Sequence, residues 1–184
     1  MTPKITALPI PEIVLIEPRK YQDSRGWFFE SFNLVSLEKA LQRKLSFVQD
    51  NQSHSLRGVI RGLHFQNPHA QAKLVRVVRG AVFDVAVDLR QKSPTFGQWV
   101  GVVLSAENMR QLWIPEGFAH GFLTLSETAD LCYKVTDYWN PETEQCLLWN
   151  DPDIAIDWPL HGLEPILSAK DAQGKPLKAI DLFN

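Results

Sequence analysis

Along Val82-Phe83-Asp84-Val85-Ala86-Val87-Asp88-Leu89 the side chains alternate strictly, and a period of two places Phe83, Val85, Val87 and Leu89 on one face of a β-strand. Comparable short runs recur from residue 56 to 149. They are Leu74–Arg79, Gln98–Leu104, Arg110–Ile114, Phe122–Leu125, Asp130–Tyr138 and Glu144–Trp149. Turn chemistry separates them: Pro94-Thr95-Phe96-Gly97, Ser105-Ala106-Glu107-Asn108 and Pro115-Glu116-Gly117. Strands this short and regular predict an all-β sandwich or barrel.

The flanks read differently. Residues 13–17 form an apolar strand that Pro18 ends, and Asp23-Ser24-Arg25-Gly26 is a turn leading into the aromatic run Trp27–Phe32. Together these predict an N-terminal hairpin. Leu34, Leu37, Leu41 and Leu45 recur at helical spacing, so a short helix capped by Asn33 or Ser36 is expected, lying against the outside of a sheet. Phe47–Ser53 is extended and polar, a stretch hard to bury unless it faces a ligand. From Asp151 the chain is loop-rich, with Pro152, Pro159, Pro165 and Pro176, and one helical turn is expected at Ser168.

With 184 residues and 45% hydrophobic side chains, one domain spanning residues 1–184 can bury a full core without staples. A net charge of -2 lacks the broad basic face that general nucleic-acid binding needs. Positive charge is local instead, at Arg57, Arg61, Lys73, Arg76 and Arg79. Cys132 and Cys146 have neither metal-type spacing nor the look of a disulfide framework, and two buried reduced thiols are expected. The start of the chain lacks a signal-peptide pattern, and no apolar run reaches the roughly 18–20 residues that span a bilayer. A cytoplasmic protein without membrane contact is the expectation.

The densest chemistry lies in Arg57–Gln66, a core-like strand carrying two arginines, a histidine and a glutamine. Alternation predicts Arg57, Val59, Arg61 and Leu63 on one face, with Ile60, His64 and Gln66 on the other. With Lys73 on a neighbouring strand, these groups outline a concave site for an anionic ligand. A lone histidine is more often a satisfied core residue, but these neighbours favour His64 as a proton-transfer group. Tyr133 is either a core aromatic or a phenol, with pKa ~10, able to return a proton to a carbanion. Tyr138 and Trp139 suit packing at a rim or stacking on a flat base. Asp171, taken alone, is a solvated turn residue. Asp84, opposite the Phe83 row, is either structural or a support for a catalytic group.

Pro115-x-Gly117-x-x-His120 matches the second metal motif of metal-binding cupins. Their first motif needs His-x-His followed by a glutamate, whereas His64 is followed by Phe65-Gln66-Asn67-Pro68-His69 and no carboxylate before Asp84. The ligand count argues against a bound metal. No Gly-x-Gly-x-x-Gly is present to hold a dinucleotide.

Several motifs occur together and in order: Arg57–Gln66 with Lys73, Trp113–Phe122, and Tyr133–Trp139. To these add Asp23–Glu30, Gln49-Asp50-Asn51 and Ser168–Asp171. The combination, covering about residues 12–171, strongly resembles the dTDP-4-dehydrorhamnose 3,5-epimerase family. The resemblance implies a cupin-type jelly-roll β-barrel and cofactor-free inversion of two centres of a dTDP-linked 4-keto-6-deoxyhexose. It implies His64 as base with Asp171 orienting it, Tyr133 as acid, and Lys73 stabilising an enolate. Arg25, Glu30, Gln49, Asn51, Arg61, His120, Glu144 and Lys170 match nucleotide- or sugar-contacting positions, and Trp139, beside Tyr138, matches the aromatic that stacks on thymine. It also implies a homodimer in which the N-terminal hairpin, with Arg25 and Glu30, reaches the partner's site. An epimerase acting at C3 or C5 alone, a metal-dependent cupin enzyme and a non-catalytic sugar-nucleotide-binding jelly roll stand as alternatives.

Overall fold

The alternating runs fold as strands that cross between two facing antiparallel sheets. In the computed structural model, which describes residues 3–184, the first sheet runs β1 (Lys4–Ala7), β2 (Val14–Glu17), β10 (Gln111–Ile114), β7 (Lys73–Arg79), β12 (Thr128–Val135), β5 (Gln49–Leu56). The second runs β13 (Glu144–Cys146), β6 (Ile60–Gln66), β11 (Phe118–Thr124), β8 (Ala81–Asp88), β9 (Trp99–Ser105). Within them β5-β12-β7-β10 faces β6-β11-β8-β9, the strand order of a jelly roll. Met1 and Thr2, the start of the expected single domain, lie outside the described residues.

Three apolar layers hold the sheets. Between them, Val75, Val77 and Leu131 of the first sheet meet Val82, Ala86 and Phe122 of the second. Outside the second sheet, Val85, Val87 and Leu89 pack under the tail residues Ile154, Trp158 and Ile180. The loop-rich tail is therefore a cover, and β8 is buried on both faces. Outside the first sheet, Leu37 of α1 (Leu34–Leu41) packs with Ile16, Leu74 and Trp113. That is the expected helix in the expected place, with the Asn33 side chain accepting from Ser36 N–H at its N-cap. Each aliphatic side chain so buried contributes about 1.5–3 kcal/mol.

Some expectations need correction. The hairpin joins β3 (Lys20–Asp23) to β4 (Gly26–Phe29), whereas residues 14–17 pair with β1 and β10. Lys20–Asp23 is a polar strand without an apolar face, so the hydrophobic pattern does not mark it. β11 begins at Phe118 directly after Gly117, rather than at Phe122, which brings His120 onto the strand. Cys132 and Cys146 are free but only partly buried.

The largest difference is in β6. His64 pairs with His120 but Arg61 pairs with Phe122, so β6 carries one extra residue against β11. Gly62 takes up the irregularity at φ 103°. A Cβ there would meet the His120 carbonyl oxygen at 2.5 Å, so only glycine allows the strands this close. The bulge breaks the alternation: Ile60, Leu63 and Phe65 join the outer core, while Arg61 turns to the same side as His64 and Gln66.

Among the described residues, no helix is long and apolar enough to cross a membrane.

Candidate active site

A cavity of about 410 Å³ opens at one end of the barrel between the two sheets. β6 contributes Arg61, His64 and Gln66, and β7 contributes Lys73. Further walls come from Gln49 and Asn51 of β5, His120 of β11, Tyr133 of β12, Glu144 of β13, and Trp139. The extended polar stretch thus does face the cavity. Its Gln49 side chain donates to Asn51 at 2.8 Å and accepts the Trp139 N–H at 3.1 Å.

His64 and Tyr133 belong to opposite sheets and line the same cavity. Behind His64, α2 (Ala169–Ala172) brings in Asp171, whose Oδ1 lies 2.6 Å from His64 Nε2. Ser168 caps that short helix by accepting the Asp171 N–H at 3.1 Å, and its hydroxyl donates to Asp171 Oδ2 at 2.9 Å. Burial works to raise the Asp171 carboxyl, but the hydrogen bonds from His64, Ser168 and the Gly62 N–H outweigh it and hold the group low. An ionised Asp171 accepts from Nε2–H, which leaves the lone pair on His64 Nδ1.

A second histidine–carboxylate pair stands beside the first. His120 Nε2 lies 3.0 Å from both oxygens of Asp84, and both residues are buried. Register explains the neighbourhood, since His120 lies between His64 of β6 and Ala86 of β8.

Lys73 is buried in the cavity wall, and its Nζ donates to the His64 carbonyl at 3.2 Å. Burial lowers its ammonium to about 8, with Asp84 and Glu144 pulling the other way. The Tyr133 hydroxyl is pushed above its usual value, first by burial and then by the charge of Glu144, so it stays a protonated phenol. Glu144 is itself held low: burial opposes ionisation, but Lys170 Nζ and Trp139 Nε1 both donate to its Oε2. Burial, and then Asp171, push the Cys146 thiol up to about 12.

Other expected site residues lie elsewhere. Arg25 sits exposed at the hairpin tip, paired with Asp23 at 2.6 Å, and Glu30 accepts from Asn33 Nδ2. Neither lines this cavity. Tyr138 projects into solvent, and only its carbonyl, which accepts from Gln66, faces inward. Arg57, Arg76 and Arg79 do not join Arg61 and Lys73 at the site. Arg76 is an odd number of residues from Lys73 on one strand, so it faces the outside of the sheet, beside Cys132. Ser168 holds Asp171 in place, a role not singled out from the sequence, where its signal is an N-cap position three residues before Asp171. The role of Asp84 is the other point left open by the sequence, where a carboxylate in the middle of an apolar strand is the available sign.

Comparison with known proteins accounts for this arrangement. The profile described as dTDP-4-dehydrorhamnose 3,5-epimerase matches residues 7–179. The epimerase of that name from Pseudomonas aeruginosa is 60% identical over 180 residues, covering 98% of this chain and 99% of that protein. The crystal structure of a dTDP-6-deoxy-D-glucose-3,5-epimerase from Legionella pneumophila, solved with dTDP-4-keto-L-rhamnose, superposes with a TM-score of 0.94 at 55% identity, covering 97% and 95% of the two chains. A 3'-monoepimerase from Streptomyces bikiniensis, in complex with dTDP-quinovose, gives a TM-score of 0.87 at 36% identity, covering 94% and 87%. Full-length identity, a shared jelly roll and the ordered motifs leading to one cavity agree: the chain belongs to the dTDP-4-dehydrorhamnose 3,5-epimerase family.

Proposed function

We propose that the protein converts dTDP-4-dehydro-6-deoxy-D-glucose to dTDP-4-dehydro-L-rhamnose by inverting C3 and C5, without a cofactor, on the route to dTDP-L-rhamnose. The observation that carries this reading is that His64 and Tyr133 face one cavity from opposite sheets, with Lys73 in the wall beside Tyr133.

A ketone at C4 acidifies the C–H bonds at C3 and C5, because either carbanion delocalises onto the carbonyl oxygen. His64 takes the proton from one face of the sugar through Nδ1, and Asp171 steadies the imidazolium that forms. The Lys73 ammonium, buried in the cavity wall, holds the enolate oxygen. The Tyr133 hydroxyl then gives its proton to the carbon from the other face. Imidazolium and phenolate exchange protons with solvent, and the cycle repeats at the second carbon. Arg61, Gln49, Asn51, His120, Glu144 and Lys170 bind the nucleotide sugar, with Trp139 stacking on thymine at the rim.

The higher identity to double epimerases than to the monoepimerase favours two inversions over one. Turnover in D2O tests this directly: deuterium at both C3 and C5 is expected in the product. Label at one carbon reduces the reading to a single-centre epimerase, and label at neither overturns it.

We also infer a cytoplasmic homodimer. The hairpin of β3 and β4 pairs with no other strand among the described residues and leaves Trp27 and Phe28 56% and 63% exposed. A partner subunit would cover these rings, and Arg25 and Glu30 would then contact the partner's substrate. The free thiols of Cys132 and Cys146 suit a reducing compartment.

A further inference from the structure

Cys146 stands directly opposite His64 in the antiparallel pairing of β13 with β6, so their side chains emerge on the same face. α2 lays Asp171 against both. Asp171 Oδ1 is 2.6 Å from His64 Nε2 and 3.9 Å from Cys146 Sγ. The donor atoms of the three residues lie within 4.8 Å of one another. None of the proton-transfer steps uses the thiol.

An imidazole nitrogen, a carboxylate oxygen and a sulfur suit a borderline-soft divalent cation, and three protein ligands leave a fourth tetrahedral position for water. Metal–ligand bonds of about 2.0–2.3 Å place tetrahedral donors roughly 3.3–3.7 Å apart. The observed 2.6 and 3.9 Å fall on either side of that spacing. Parting His64 from Asp171 by about 0.7 Å and drawing in the sulfur by a few tenths of an ångström would bring both pairs to it, and the nitrogen–sulfur pair, within 4.8 Å, would close with them. Glu144 adds negative charge nearby, and the opposing Lys170 ammonium is already tied to Glu144. His120 is not part of this cluster, because its Nε2 is held by Asp84.

We propose that Cys146 Sγ, His64 Nε2 and Asp171 Oδ1 form an inhibitory site for a thiophilic divalent cation of the zinc class. Binding releases the thiol proton to solvent. The hydrogen on His64 Nε2 moves to Nδ1, the nitrogen that must accept the substrate proton. With metal on one nitrogen and hydrogen on the other, the imidazole has no lone pair for C–H abstraction, and Asp171 no longer orients it. The metal therefore stops the first step without occupying the nucleotide site.

The binding arm of the test needs no turnover, so it is separable from the epimerase reading on which the inhibitory arm rests. Chelator-treated protein is titrated with Co2+. A thiolate-to-cobalt charge-transfer band in the near ultraviolet is expected, and it should be lost in Cys146→Ala. In turnover assays Zn2+ is expected to inhibit at least tenfold, with chelator restoring activity and Mg2+ having no effect. Cys146→Ala should retain turnover and need at least tenfold more Zn2+ for half-inhibition. If that variant does not fold, Cys146→Ser, a harder donor, should show the same loss of band. No band in the parent protein, or equal Zn2+ inhibition of parent and variant, overturns the site. A band with undiminished turnover overturns its inhibitory role.

Discussion

Lys73 Nζ donates to the main-chain carbonyl of His64 at 3.2 Å, so the ammonium proposed to hold the enolate is tied to the residue proposed to create it. Movement of β6 would disturb both groups together. The cost is a buried cation, which sets the protein's expected response to pH.

The Lys73 ammonium falls from an ordinary 10.5 to about 8 because it is buried. Turnover should therefore decline as pH rises through about 8, measured as kcat/KM against pH. Tyr133 is shifted upward and does not supply this limb. The stability effect has the opposite sign. Between about 8 and 10.5 the unfolded chain holds the proton more tightly, so stability should rise with pH over that window. Below it the buried charge costs about 3 kcal/mol. Lys73→Met should recover much of this at pH 7 in denaturant unfolding while abolishing turnover.

Asp84 favours the charged form of Lys73 and holds His120 through both carboxylate oxygens. Asp84→Asn keeps the shape and removes the charge. The alkaline limb of the pH–rate profile should then move to lower pH, and substrate KM should rise as His120 loses its anchor. An unmoved limb would assign it to a group other than Lys73.

Removing a general base or acid typically costs about 10²–10⁴-fold in rate. His64→Asn should lose solvent deuterium uptake at both C3 and C5 with dTDP affinity nearly unchanged. Tyr133→Phe should retain wash-in at the first carbon yet fail to deliver inverted product. Product NMR separates the two outcomes. Retained uptake in His64→Asn would assign the base elsewhere.

If the hairpin crosses to the partner, two inactive variants should rescue each other. Mixing Arg25→Ala with His64→Asn under subunit exchange gives heterodimers in which one site keeps both residues. Recovery to roughly a quarter of parental activity is expected for random exchange. No recovery would keep the hairpin on its own subunit.

Much of the fold was legible because the period of two is a local signal. The runs around Val82–Leu89 and Leu74–Arg79 could only be strands, and Leu34, Leu37 and Leu41 only a short helix. The ordered motifs around His64, Lys73 and Tyr133 marked the site. Alternation failed where the backbone left its period. The extra residue at Gly62 turned Arg61 to the side of His64, a change that depends on how closely β11 approaches.

The strand class, the turns and the residue types able to move protons are written in local order along the chain. Which of these groups meet is a matter of how distant segments pack. Asp171 reaches His64 across 107 residues of chain, and Cys146 stands opposite His64 through the register of β13 on β6. Local patterning says which way a side chain points from its own strand. Which strand lies alongside, and in what register, follows from hydrogen-bond ladders and core packing between segments far apart in the chain.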